Sequence, residues 1–153
     1  MANPIYNVVL VNPEIPPNTG NVGRLCLGAG ARLHLIKPLG FSLDDRQLKR
    51  AGLDYWSEVD CHVWESLADC LQQCPDSSRI FFLTTKTTKT YWDVKFQPGD
   101  FLIFGAESRG LPESLLEANS GQCLRIPMCG TRSLNLATTV GIVLWECLRQ
   151  TSR

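Results

Sequence analysis

Eight polar residues stand in surroundings that are otherwise apolar or rich in glycine. Asn18, Asn21 and Arg24 follow a proline-rich turn, Glu107 and Arg109 sit between glycines, and Arg132, Ser133 and Asn135 precede a long apolar run. Their types suit gripping and orienting a polar or anionic ligand. A guanidinium offers paired N–H groups to phosphate or carboxylate, and amides and hydroxyls both donate and accept. Other chemistries lack their parts. There is no GxGxxG between a strand and a helix and no GxxxxGK[ST], so neither a common dinucleotide site nor a phosphate-cradling loop is supported. No GxSxG elbow occurs. The two histidines, His34 and His62, show no metal-ligand spacing, and no metal is expected. Seven cysteines without a CxxC pair indicate neither a disulfide framework nor a structural zinc site, and Cys26 and Cys147 read as buried small hydrophobes.

The elements that must position these residues follow from periodicity and punctuation. Apolar runs at Tyr6 to Val11, Ala31 to Ile36, Arg79 to Thr84, Phe101 to Phe104 and Leu124 to Ile126 predict strands, with a weak short one at Cys61 to Trp64. Helical spacing predicts helices over Asn21 to Ala29, from a Ser42-Leu43-Asp44-Asp45 cap to about Ala51, over Ser66 to Cys74, from Pro112 to Ala118, and from Leu134 to Arg149. Segment 16–20 reads as a turn-rich loop, 84–90 as a Thr- and Lys-rich loop, and His34 as a strand surface residue. Strands that alternate with helices and are apolar along their length predict an α/β fold, a mostly parallel sheet with helices on both faces. Ligands of such sheets bind outside the carboxyl ends of the strands, which singles out loops 12–21, 105–112 and 127–135.

With 153 residues, 44% of them hydrophobic, the chain is expected to form one domain over 1–153. No apolar run reaches a membrane span and the N-terminus lacks the layout of a secretory signal, so a cytoplasmic location is expected. The net charge is zero, but residues 24–50 carry Arg24, Arg32, Lys37, Arg46, Lys49 and Arg50 against Asp44 and Asp45, whereas 51–78 hold acids alone. That pattern admits a one-sided basic surface or two ordinary solvated faces. The last helix carries Leu136, Val140, Val143 and Cys147 on one face, widened by Ile142, Leu144, Trp145 and Leu148 beyond what one core contact needs. The excess points to a partner subunit or to full burial.

Three stretches, PEIPPNTGN followed by GRL (13–25), FGAESRGLP (104–112) and RIPMCGTRSLNLATTVGIVLWE (125–146), resemble the three motifs of the SPOUT 2′-O-methyltransferases, in the same order and at the expected strand ends. With RAGLDYW at 50–56 and no added RNA-binding domain, the resemblance is to the short YibK-type members, which act on the tRNA wobble position and are homodimers. It implies the SPOUT (α/β knot) fold with a C-terminal trefoil knot, and transfer of methyl from S-adenosyl-L-methionine to the 2′-hydroxyl of cytidine or uridine 34 of a tRNA, a leucine acceptor being expected. It also implies that Leu83, Gly105, Ile126, Met128, Ser133 and Leu136 line the cofactor pocket, that Arg24, six residues after Asn18, serves catalysis with Asn18, Ser133 and Asn135, and that the partner is a tRNA anticodon stem-loop. A guanidinium seldom gives up its proton, so holding the substrate phosphate is the better role for Arg24. Glu107 and Arg109 admit a second reading, an ion pair bracing their own loop. Two further outcomes fit the motifs: the same chemistry at another tRNA or rRNA nucleotide, and a non-catalytic RNA-binding protein of this fold.

Overall fold

Strands 8–11, 80–83 and 101–104 run apolar because the sheet they join is covered on both faces. The computed structural model describes residues 6–44, 46–51 and 53–152, with side chains at all of these but 47, 49, 51, 53 and 54; the side chain of Lys49 in the basic segment and the whole of Asp45 in the predicted cap lie outside what is described. In chain order the elements are β1 (Asn7–Val11), α1 (Pro16–Ala29), β2 (Arg32–Ile36), α2 (Arg46–Ala51), β3 (Cys61–Trp64), α3 (Leu67–Leu71), β4 (Ile80–Leu83), β5 (Phe101–Phe104), α4 (Glu113–Ala118), β6 (Cys123–Leu124) and α5 (Leu136–Thr151). The six strands form one sheet in the order β3-β2-β1-β5-β4-β6, and all pairings are parallel. Consecutive side chains point to opposite faces. Val8 and Leu10 of β1, with Leu33, Leu35, Leu102 and Phe104, meet Val22 and Cys26 of α1 and Val140, Val143, Leu144 and Cys147 of α5. Val9, Val11, Phe82 and Ile103 face the other way, onto Cys70 of α3 and Leu116 of α4. The far end of α5 is tied to the sheet by the Tyr6 hydroxyl, 3.3 Å from the Cys147 carbonyl and 3.1 Å from Thr151 Oγ1.

Several boundaries differ from expectation. Helix α1 begins at Pro16, five residues early, so the segment read as a loop forms its first turns. Prolines at the first two helical positions lose nothing, because those amides have no partner within the helix. Strand β6 ends at Leu124; Arg125 keeps only an isolated bridge to Thr90. Helix α5 starts two residues later than predicted, at the point where Asn135 caps it. His34 is not a surface residue: it is 1% exposed, stacked on Phe101, with Nε2 2.9 Å from Asn7 Oδ1 and Nδ1 accepting the Trp64 indole N–H at 3.0 Å. The alternation of β2 mixes Arg32 and His34 with leucines, and a histidine whose two ring nitrogens are satisfied is a legitimate core residue. The basic and acidic segments also meet: Arg32 pairs with Asp60 at 2.9 Å and Lys37 with Glu65 at 2.8 Å, which leaves Arg24, Arg46 and Arg50 as exposed cations on α1 and α2.

Candidate active site

The loops that follow β1 and β5 are cross-linked by two carboxylates. Ile15, which precedes α1, offers no side-chain cap, so the amides at the helix entrance need acceptors from elsewhere. Glu107 supplies them: its carboxylate accepts the Glu14 amide at 2.9 Å and the Ile15 amide at 2.8 Å, and it also takes the Asn18 side-chain N–H at 3.3 Å. In return Glu14 accepts the Ser108 amide at 2.7 Å and its hydroxyl at 2.9 Å. These bonds, the backbone one first, hold the Glu14 carboxyl below the usual carboxylate range. Glu107 therefore braces loops, as the second reading allowed, but its partners lie on the β1–α1 segment and not at Arg109.

A carboxylate only accepts, so Asn18 must turn its NH2 toward Glu107 and its oxygen away. That oxygen receives the Asn135 side-chain N–H at 3.0 Å. The Asn135 oxygen is then left facing the start of α5, where it accepts the amides of Ala137 at 2.9 Å and Thr138 at 3.3 Å. Glu107, Asn18 and Asn135 thus form one directed relay through all three suspected loops. Gly105 owes its identity to the same tight region. A Cβ there would overlap the backbone of Gly110 and Leu111, because the loop folds back on itself through the Gly110 amide, 2.8 Å from the Ala106 carbonyl.

Around the relay lies a cavity of about 530 Å³ at the carboxyl ends of β4 and β5. Asn18, Leu83, Gly105, Ser133, Asn135 and Leu136 line it. A narrower recess of about 90 Å³ continues between Leu83, Leu124, Ile126, Met128 and Ser133. Of the residues singled out in the sequence, Arg24 alone among the catalytic and cofactor candidates stands apart: it is exposed on α1 and does not line the cavity. It lies one turn before Gly28, where an added Cβ would meet the Trp145 ring at van der Waals distance. The structure adds residues that the sequence reading passed over. Ile15, Thr84, Thr85 and Lys86 line the cavity, and Lys86 is paired with Glu113 at 3.0 Å. The threonine-rich stretch carried a signal, since it directly follows the carboxyl end of a buried strand; Glu14 stood within the first motif and loop 12–21, but nothing in the sequence tied it to Ser108.

The SpoU rRNA Methylase family model matches residues 6–145. The chain belongs to this family. A tRNA (cytidine(34)-2′-O)-methyltransferase of Burkholderia ambifaria is 50% identical over 151 residues, covering 95% of this chain and 96% of that protein. A solved structure described as giving insight into 2′-OH methylation of C/U34 on tRNA superposes with a TM-score of 0.90 at 47% identity, over 97% of both chains. An AdoMet-bound rRNA methyltransferase from Sinorhizobium meliloti superposes with a TM-score of 0.82 at 25% identity, over 97% of this chain and 57% of its own. The parallel sheet covered on both faces is the SpoU methylase fold.

The SpoU methylases use S-adenosylmethionine, and the cavity can be tested for it. Its volume falls in the range of small-ligand sites. The recess is walled by Leu83, Leu124, Ile126 and Met128, which suits a flat uncharged base, and Ser133 lines both the recess and the main cavity. Donors, acceptors and size fit the cofactor. No helix among the described residues is long and apolar enough to cross a membrane.

Proposed function

We propose that this chain methylates the 2′-hydroxyl of nucleotide 34, cytidine or uridine, in a tRNA anticodon loop, using S-adenosylmethionine held against β4, β5 and β6. The observation that carries this reading is the convergence of three separated motifs on one cavity with an apolar recess, in a chain half identical to enzymes named for that reaction. Leu83, Gly105, Ile126, Met128, Ser133 and Leu136 hold the cofactor. When bound, it supplies a methyl group made electrophilic by the adjacent sulfonium. The chain supplies orientation, since positioning alone contributes several kcal/mol to such a transfer. Ser133 lines both the recess and the cavity, and its hydroxyl, with no hydrogen-bond partner among the described residues, suits a polar group of either ligand. Asn18 and Asn135 act by fixing the loops that carry it. Arg24 holds an RNA phosphate, for which its exposure and its lack of a polar partner among the described residues suit it. RNA is required because DNA lacks the hydroxyl that reacts.

The protein works as a homodimer in the cytoplasm, with residues 1–153 as one domain and the chain from β4 to α5 closing the trefoil knot of its family. Support for the dimer lies on α5: Val143 and Leu144 are fully buried within the chain, whereas Trp145 is 42% exposed beside Gly28 of α1. Pairing through this face would place Arg24 at the subunit boundary, and the exposed Arg46 and Arg50 on α2 would extend a surface for the anticodon stem, with a leucine acceptor the expected tRNA. The test is nucleoside mass spectrometry of tRNA from cells with and without the gene, followed by transfer from labelled cofactor to purified leucine tRNAs with altered wobble bases. Label confined to position 34 supports the assignment. Label only on ribosomal RNA would move the substrate and keep the chemistry, and no label on any RNA would remove the enzymatic reading.

A further inference from the structure

Trp92 is the most exposed of the large apolar residues described, at 58%. It is not on a loose loop. Segment 84–90 leaves and returns to the same place: the Thr84 amide bonds the Leu124 carbonyl at 2.9 Å, the Arg125 amide bonds Lys89 at 2.8 Å, and the Tyr91 amide bonds Arg125 at 3.0 Å. The next turn is closed by Asp93 bonding Thr90 at 3.1 Å and Val94 bonding Tyr91 at 3.3 Å. Tyr91 packs against the core and lies 5.8 Å, ring to ring, from Trp92. An indole is thus held on a fixed mount with its surface in water, at a cost in apolar exposure that nothing in the fold repays.

The mount joins the site. Thr90 stands beside Arg125, the neighbour of Ile126 on the cofactor recess, and two residues span at most about 7 Å. Its other end, Thr84 to Lys86, lines the main cavity. The charge around Trp92 is positive: Lys89, Lys95 and Arg125 have no ion-pair partner among the described residues, against Asp93 as the one acid of the turn. Arg149, across an open groove from Trp92, is neutralised by Glu146 at 2.8 Å.

We propose that Trp92 is a stacking platform for an unpaired base of the RNA substrate, flanked by Lys89, Lys95 and Arg125 as phosphate contacts. This rests on the RNA methyltransferase reading above. A rigid aromatic face among unpaired cations is what single-stranded RNA requires, because every base offers a π-face and every nucleotide a charge. It also gives the RNA a second fixed point in addition to the one in the cavity.

The test compares the full-length wild type with Trp92→Ala and Trp92→Phe, using a synthetic anticodon stem-loop RNA, with binding followed by anisotropy and methyl transfer by labelled cofactor. Trp92→Ala is expected to weaken RNA binding by about 5- to 150-fold and to raise KM for RNA, with cofactor affinity unchanged. Trp92→Phe is expected to restore most of the affinity while abolishing part of the RNA-induced quenching of tryptophan fluorescence. Equal RNA affinity in folded wild type and Trp92→Ala, with methylation intact in both, overturns this proposal and spares the function. A wild type that neither binds nor methylates RNA overturns both. Loss of RNA binding that accompanies dissociation of the dimer on sedimentation assigns Trp92 to a second copy of the chain and also overturns the proposal.

Discussion

Replacing Asn135 by Asp separates the two jobs of that residue. Asp is as good an N-cap as Asn, so the bonds to the Ala137 and Thr138 amides survive. The N–H offered to Asn18 disappears, and an acceptor is set against the Asn18 oxygen. Asn18 cannot answer by flipping, because its oxygen would then face the Glu107 carboxylate. The relay bond is worth about 0.5–1.5 kcal/mol net, and the opposed acceptors raise the cost to about 1–3 kcal/mol. At about 2–4 °C per kcal/mol for a domain of this length, Asn135→Asp should lower Tm by roughly 2–12 °C. Asn135→Ala loses the cap as well, about 1 kcal/mol more of helix stability, but removes the clash. A double-mutant cycle with Asn18→Ala should give a coupling of about 0.5–1.5 kcal/mol by urea unfolding at one fixed protein concentration. Calorimetric titration of cofactor should show affinity falling with the relay, since Ser133 and Leu136 flank Asn135. Wild-type stability and cofactor affinity in Asn135→Asp, with zero coupling in the cycle, would refute the relay.

Arg24→Ala should abolish methyl transfer and leave cofactor affinity within about twofold, with Arg24→Lys rescuing little, as a lost bidentate contact predicts; cofactor binding lost together with activity, by calorimetry, would place Arg24 in the cofactor site. Ser133→Trp should block the cofactor in a folded protein, whereas Gly105→Val should also lower Tm because its side chain meets the Gly110–Leu111 backbone, a distinction that circular dichroism melts will read. Trp145→Glu should shift sedimentation from dimer to monomer with the fold intact, while Val143→Glu should unfold the chain, since Val143 is fully buried in its own core. His34 is pushed down to about 4, first by burial, from an ordinary value of 6.5. Protonation would also cost its Nδ1 the Trp64 N–H. Below pH 6.5 the unfolded chain binds the proton that the folded chain refuses, so stability should fall from pH 6.5 to about 4 by roughly 3 kcal/mol. A urea-denaturation series whose slope in this window is unchanged in His34→Gln would contradict that.

The strands were legible because burial on both faces writes them as unbroken apolar runs, and β1, β4 and β5 lie within a residue or two of where the sequence places them. The start of α1 was not. Pro-Pro-Asn-Thr-Gly has the composition of a turn, and it becomes helix because Glu107, 92 residues beyond Ile15, satisfies the entering backbone and Asn18, Thr19 and Gly20 are buried. His34 was misread for a related reason: its partners Asn7, Trp64 and Phe101 come from three other strands. The cavity residues at strand ends followed from the rule for parallel sheets together with the family motifs. Glu14 lay inside both, but its bond to Ser108 joins loops 12–21 and 105–112, a pairing that no local pattern writes.

The relay also bears on how this site can work. Of the polar residues picked out for chemistry, Asn18, Asn135 and Glu107 are bonded to one another, to backbone amides and to the start of α5. A site that spends its amides and a carboxylate on holding loops keeps few groups for moving charge. That allocation suits a reaction whose electrophile arrives already activated, where a misplacement of about 1 Å costs on the order of 100-fold and rigidity returns more than an additional acid or base. Arg24, by contrast, sits on the first helix away from the cavity, on the side that carries Gly28 and Trp145. On the function proposed above, cofactor geometry is then set within one chain, and delivery of the substrate ribose is left to a cation at the edge. Variants of the relay should therefore lower cofactor affinity and kcat together, whereas variants of Arg24 should lower kcat/KM for RNA with the cofactor bound as before, and the two sets should add when combined because no bond joins them.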